Sequence, residues 1–229
     1  MPHTTAPVLA AGAPLSEAAS ALVLVHGRGA TAQSILGLGR EVAPPSMAIL
    51  APQADALGGV PQWYPRSFLA PLAANEPWLS GALGAVLRTA ESARAAGIDY
   101  ERIALGGFSQ GACLTLEAAA RHARRWGAVL GLSGGLLGTG ELAGAAPTLD
   151  GMGGPYPDKA FDYDGSLAGT PVFLGCSDLD PHIPLARVER TAEVLAGLGA
   201  RVEARIYPGM PHTVNHDELD AARELLAGV

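Results

Sequence analysis

The chain has 229 residues, 48% of them apolar and 16% charged, with 22 acidic against 15 basic side chains and a formal net charge of −7. That length suits one sizeable core, so a single domain is expected over residues 1–229, and the apolar share excludes a disordered chain. An acidic balance without clustered lysine and arginine argues against a nucleic-acid backbone as partner.

Residues 1–7 read as a loose tail without the basic start and apolar core of a secretory signal. No apolar run reaches the roughly 18 residues of a membrane span, so a cytoplasmic protein without stable membrane insertion is expected. Cys113 and Cys176 sit in apolar settings and read as free thiols of a reducing compartment.

Val8 to Leu15 suggests a short edge strand and turn. Ala21–Val25 is a continuous apolar run of the kind found in parallel strands buried on both faces. It ends in His26-Gly27-Arg28-Gly29, and a helix is expected from about Ala32 to Val42. Met47–Leu50 is a second apolar run, closed by Ala51-Pro52. Residues 53–75 form the longest irregular stretch and carry Trp63, Tyr64 and Phe68; long loops of this kind are often functional. From Pro77 to Ala96 the apolar positions return to a 3.6-residue period, with Gly97 as the stop.

Ile103 to Phe108, then Ser109, then the alanine-rich Gln110 to Ala120 read as strand, tight turn and helix, the helix reaching about Arg125. Gly107-Phe108-Ser109-Gln110-Gly111 matches the G-x-S-x-G elbow that exposes a serine hydroxyl at the tip of a strained turn. The flanking glycines are needed because strand and helix approach too closely for a Cβ. Ala128–Leu132 is a further strand, while residues 136–169 are glycine-rich and match no element. Val172–Gly175 is a strand, and a helix opens at Pro184, where the missing N–H costs nothing. Val202, Ala204 and Ile206 alternate with polar neighbours, as suits a strand near a sheet edge, and a terminal helix runs from about Asp217 to Leu226.

Strands alternating with helices at this spacing indicate an α/β fold, a mostly parallel sheet covered by helices on both faces. Ligands in such sheets bind beyond the carboxyl ends of the strands, so residues just after a strand can reach the site. His26 to Gly29, Ser109, Asp178-Leu179-Asp180 and His212 pass that filter. A serine becomes a nucleophile only beside a base, and the base needs a carboxylate to fix its tautomer. The chain order Ser109, Asp, His212 is the order of α/β-hydrolases. Asp178 and Asp180 compete for the acid. Asp180 is favoured because Pro181 restrains it to an extended conformation in a loop reaching back over the sheet, leaving Asp178 to bind amides in the turn.

His212, after Pro208-Gly209-Met210-Pro211, sits in a turn suited to an exposed base. His26 reads as support for the turn after its strand, His216 as a polar residue near a helix start, and His182 as a rim residue. His3 and His122 read as incidental. No H-E-x-x-H or cysteine-pair spacing indicates a metal, and no phosphate loop is present, so no cofactor is expected. An oxyanion needs two N–H donors. Gln110, after the nucleophile, and Arg28, after the first main strand, are the natural backbone sources. The Arg28 side chain either meets an anionic part of the substrate or is solvated. Trp63, Tyr64 and Phe68 either wall an acyl or alcohol pocket or plug the loop onto the core.

Leu24-Val25-His26-Gly27-Arg28-Gly29, Gly107-Phe108-Ser109-Gln110-Gly111, Ser177-Asp178-Leu179-Asp180-Pro181-His182-Ile183-Pro184 and Met210-Pro211-His212 together resemble the phospholipase/carboxylesterase group of α/β-hydrolases, which includes acyl-protein thioesterases. The resemblance implies a compact α/β-hydrolase fold without a large cap, and cofactor-free cleavage of carboxylic esters, sometimes thioesters or lysophospholipids. It casts Ser109 as nucleophile, Asp180 and His212 as its partners, and the Arg28 and Gln110 amides as the oxyanion hole. Arg28 stands where thioesterase-like members often carry leucine, Gly111-Ala112-Cys113 replaces a Gly-Gly start, and Gln62 to Pro65 is closer to small bacterial carboxylesterases. A hydrolase of small, fairly apolar esters is therefore expected, its partner a small-molecule ester, as a monomer or homodimer. Thioester and lysophospholipid cleavage by the same three residues, and a non-catalytic binding protein, are the rival readings.

Overall fold

The computed structural model describes residues 1–142 and 156–229. Seven strands form the main sheet: Val8–Gly12 (β1), Ser20–Val25 (β2), Met47–Pro52 (β3), Ile103–Phe108 (β4), Ala128–Leu132 (β5), Pro171–Ser177 (β6) and Arg201–Tyr207 (β7). Their spatial order is β1-β3-β2-β4-β5-β6-β7, with β1 antiparallel to β3 and the other neighbours parallel.

The two-sided burial of the central strands explains their unbroken apolar sequence. In β2, Ala21, Val23 and Val25 enter one core, shared with the helices Trp78–Ala95 (α2), Gln110–Arg121 (α3) and Leu185–Gly197 (α4). Leu22 and Leu24 enter the other, shared with Ala32–Val42 (α1) and His216–Ala227 (α5). From β2 the chain crosses to β3 on one side, while β4 lies on the other. The crevice beyond the carboxyl ends of β2 and β4 is thus a topological switch point, where ligands bind in open α/β sheets. Among the described residues no helix is long and apolar enough to cross a membrane.

Several expectations change. Residues 1–7 are not loose: His3 is buried, its Nδ1 accepts from the Asp55 amide at 3.0 Å, and its ring faces Trp63 and Trp78. Helix α3 stops at Arg121, because His122 leaves helical geometry at φ −119° and ψ 49°. Arg124 instead stacks over the Tyr100 ring, 4.3 Å from its centroid. The 53–75 stretch contains a small hairpin, Ala56–Leu57 with Val60–Pro61, and a 3-10 turn at Leu72–Ala74. Within 136–169, Gly140–Glu141 pairs with Lys159–Ala160, while residues 143–155 lie outside the described residues. The buried Lys159 Nζ donates to the Ala70 carbonyl at 2.6 Å and lies 3.0 Å from Glu141, tying this hairpin to the long loop.

Helix α5 opens with a capping box in which Asn215 Oδ1 accepts from the Glu218 amide and Glu218 Oε2 accepts from the Asn215 amide. The second carboxylate oxygen, Glu218 Oε1, is buried against Gly175 of β6 and lacks a hydrogen-bond partner among the described residues. Burial pushes this carboxyl up to about 7 from its ordinary 4.5. The native chain therefore keeps a proton that the unfolded chain has lost. The stability this group confers is complete below pH 4.5 and is lost as pH rises through 7. Between pH 5 and 8, wild type is expected to lose about 2 kcal/mol relative to Glu218→Gln, read from urea midpoints. Parallel pH profiles for the two proteins would contradict this.

Candidate active site

Strand β4 delivers Ser109 to the switch point, and the serine adopts φ 57° and ψ −123° before α3 begins. A non-glycine residue there is strained, and packing must hold it. The Ser109 amide donates to Leu132 O at 2.9 Å, and the Cys113 amide donates to Ser109 O at 3.0 Å. A Cβ on Gly111 would overlap the Val25 carbonyl oxygen and lie 2.6 Å from that of His26; one on Gly107 would overlap the Gly111 carbonyl. The turn is therefore clamped backbone against backbone between β2, β4 and α3.

His212 arrives on the loop after β7. Asp178 Oδ1 accepts from the Gly209 amide at 2.7 Å and so holds that loop. The imidazole lies between Phe108, with ring centroids 4.9 Å apart, and His182, at 4.8 Å in an edge-on arrangement. Its Nδ1 is 2.6 Å from Asp180 Oδ2 and its Nε2 is 2.8 Å from Ser109 Oγ. A carboxylate can only accept, so Nδ1 carries the proton and Nε2 is left to accept from the serine hydroxyl. Asp180 Oδ1 accepts from the amides of His182 (2.8 Å) and Ile183 (3.0 Å). Burial pushes the Asp180 carboxyl up, but the hydrogen bonds from His212 and these amides outweigh it and hold its pKa below the ordinary value. Asp180 is thus an ionised carboxylate against one edge of the ring.

Arg28 and Gln110 line the same cavity of about 530 Å³ as Ser109 and His212. Gln110 is the first residue of α3, where helix geometry leaves the N–H without an intrahelical acceptor. Sequence reasoning missed what the two side chains do. Gln110 Oε1 accepts from the Trp63 amide at 2.9 Å, and its Nε2 donates to Tyr64 O at 2.8 Å. The Arg28 guanidinium donates to Gln62 Oε1 and to the carbonyls of Tyr64 (3.0 Å), Pro65 (3.1 Å) and Arg66 (2.9 Å). Neither simple solvation nor a free hand for substrate describes it. The partners lie 34 to 47 positions away in sequence, and no local pattern announces them.

Tyr64 and Phe68 line the cavity, whereas Trp63 sits behind it. Its ring lies between His3 and His26, and its Nε1 donates to His26 O at 2.8 Å, so Trp63 plugs the loop onto the core. His26 is fully buried. Its Nδ1 donates to Gly27 O at 2.8 Å and its Nε2 accepts from the Ala54 amide at 3.1 Å, which defines one neutral tautomer. Burial lowers its pKa, and its place is structural. Among the described residues no group of three or more His, Cys, Asp or Glu is placed to hold a metal ion.

A mostly parallel sheet with helices on both faces, no large cap among the described residues, and a strained serine at the switch point define a compact α/β-hydrolase. Residues 8–150 match the Phospholipase/Carboxylesterase family, to which this chain belongs. A phospholipase/carboxylesterase structure from Dyadobacter fermentans DSM 18053 is 36% identical, covers 97% of each chain and superposes with a TM-score of 0.83. Esterase PE8 is 26% identical over 97% of each chain, with a TM-score of 0.71. Acyl-protein thioesterase 1 of Gibberella zeae is 35% identical over 130 residues, which are 57% of this chain and 49% of that protein. The chain thus matches about half the length of that curated relative.

Proposed function

We propose that the protein is a serine carboxylic-ester hydrolase that acts on small, fairly apolar esters through an acyl-enzyme. The observation that carries this reading is the 2.8 Å approach of His212 Nε2 to Ser109 Oγ, with Asp180 2.6 Å behind the ring. In the scheme, Nε2 takes the hydroxyl proton as Oγ attacks the ester carbonyl. The backbone amides of Arg28 and Gln110 hold the oxyanion, and His212 then protonates the leaving alkoxide. Water, deprotonated by the same ring, attacks the acyl-serine; collapse returns the proton to Oγ and frees the acid. Tyr64 and Phe68 supply apolar wall to a cavity sized for a small ligand. No cofactor enters the scheme.

Labelling with a fluorophosphonate tests it. Wild type is expected to be labelled stoichiometrically and Ser109→Ala not at all; labelling of the variant would refute the assignment. A p-nitrophenyl ester series whose efficiency kept rising to long acyl chains would overturn the small-ester part. The thioester reading draws on the named acyl-protein thioesterase relative. It uses the same three residues, so oxygen esters and thioesters of one acyl chain separate the two.

A further inference from the structure

The cavity carries a charge pattern opposite to that of the whole chain. Against 22 acidic and 15 basic residues overall, its described lining contains two arginines, Arg28 and Arg66, and no aspartate or glutamate. The four acceptors around the Arg28 guanidinium are neutral amide oxygens, which satisfy its N–H groups without cancelling its charge. Arg66 is exposed at the cavity. Its backbone is anchored, the amide to Asn75 Oδ1 at 2.8 Å and the carbonyl to Arg28, but its side chain makes no hydrogen bond or ion pair among the described residues. The remaining carboxylate of the site, Asp180, has a fully buried side chain and is engaged by His212. Two uncompensated cations over an apolar wall form a local positive field, which a concave surface focuses.

Building on the hydrolase reading above, we propose that the ester this site takes carries a carboxylate at the end of its apolar body, paired with the Arg66 guanidinium in the field of Arg28. A guanidinium matches a carboxylate through two parallel N–H bonds, which gives orientation as well as attraction. The simplest members of the class are half-esters of dicarboxylic acids, with the charge on the acyl side, and acyl esters of hydroxy acids, with the charge on the alcohol side.

Two matched pairs followed by pH-stat test this: monomethyl glutarate against methyl pentanoate, and 4-acetoxybutyrate against butyl acetate. Wild type is expected to favour the charged member of at least one pair in kcat/KM. Arg66→Glu is expected to cut that preference about tenfold or more, and added salt to erode it. Arg94→Glu makes the same change in net charge at the end of α2, where Arg94 pairs with Asp99, and is expected to leave the preference intact. A preference for the neutral member in both pairs, or one that Arg66→Glu does not move, overturns the proposal while leaving the ester hydrolase standing. Hydrolysis of no member, with Ser109 unlabelled by fluorophosphonate, overturns both.

Discussion

Replacing Asp180 with asparagine is expected to lower kcat by ~10⁴-fold with little change in KM or in thermal midpoint. The asparagine oxygen can still accept from the amides of His182 and Ile183, so the loop stays in place. Its NH2, however, would face His212 Nδ1 as a donor. The ring would then have to accept at Nδ1 and carry its proton on Nε2, the nitrogen that faces Ser109. A base protonated at that position cannot take the serine proton. Single-turnover rates on a p-nitrophenyl ester check this, and a loss of less than tenfold would move the orienting role away from Asp180. Asp178, which binds the Gly209 amide, would then be the first residue to examine.

Gly111→Ala is expected to abolish folding or to cost at least about 4 kcal/mol. The added methyl has no room, because the atoms it meets are the backbone carbonyls of Val25 and His26 rather than side chains that can turn aside. Relief would require α3 to move away from β2, carrying Ser109 with it. The matched control is Gly37→Ala, on the exposed face of α1, where nothing lies within 4 Å of a new Cβ. That change is expected to stabilise by roughly 0.5–1 kcal/mol through helix propensity. Urea unfolding followed by circular dichroism reads both, and a mild effect at Gly111 would contradict the clamped turn.

Elements whose determinants are local were legible in the sequence. Ala21–Val25 announces a doubly buried strand because every position is apolar, and α1 matches its expected bounds of Ala32 and Val42. The alternation at Val202, Ala204 and Ile206 marks β7, which is indeed the sheet edge. Gly107 was readable because its steric conflict is local, with the Gly111 carbonyl, whereas the atoms that exclude a side chain at Gly111 belong to Val25 and His26, far away in sequence. Long-range partnerships left no such trace. His3 is held by Asp55 and Trp63, and nothing in its own neighbourhood distinguishes it from a tail residue. Trp63, Tyr64 and Phe68 look alike as aromatics in one loop, yet Trp63 is turned inward by its bond to His26 O while the other two face the cavity. The overrun of α3 has a similar origin: Arg121, Arg124 and Arg125 are cations of the kind a helix C-terminus favours, but Arg124 is claimed by the rings of Tyr100 and Trp126.

The double attachment of residues 62–66, to Arg28 on one side and to Gln110 on the other, would make selectivity and turnover inseparable under the proposed mechanism. Reshaping that segment to admit a bulkier ester would tug on both peptide groups proposed to meet the oxyanion. Broadened scope should therefore come at reduced speed, unless the redesign begins from the opposite rim, at His182 and Ile183.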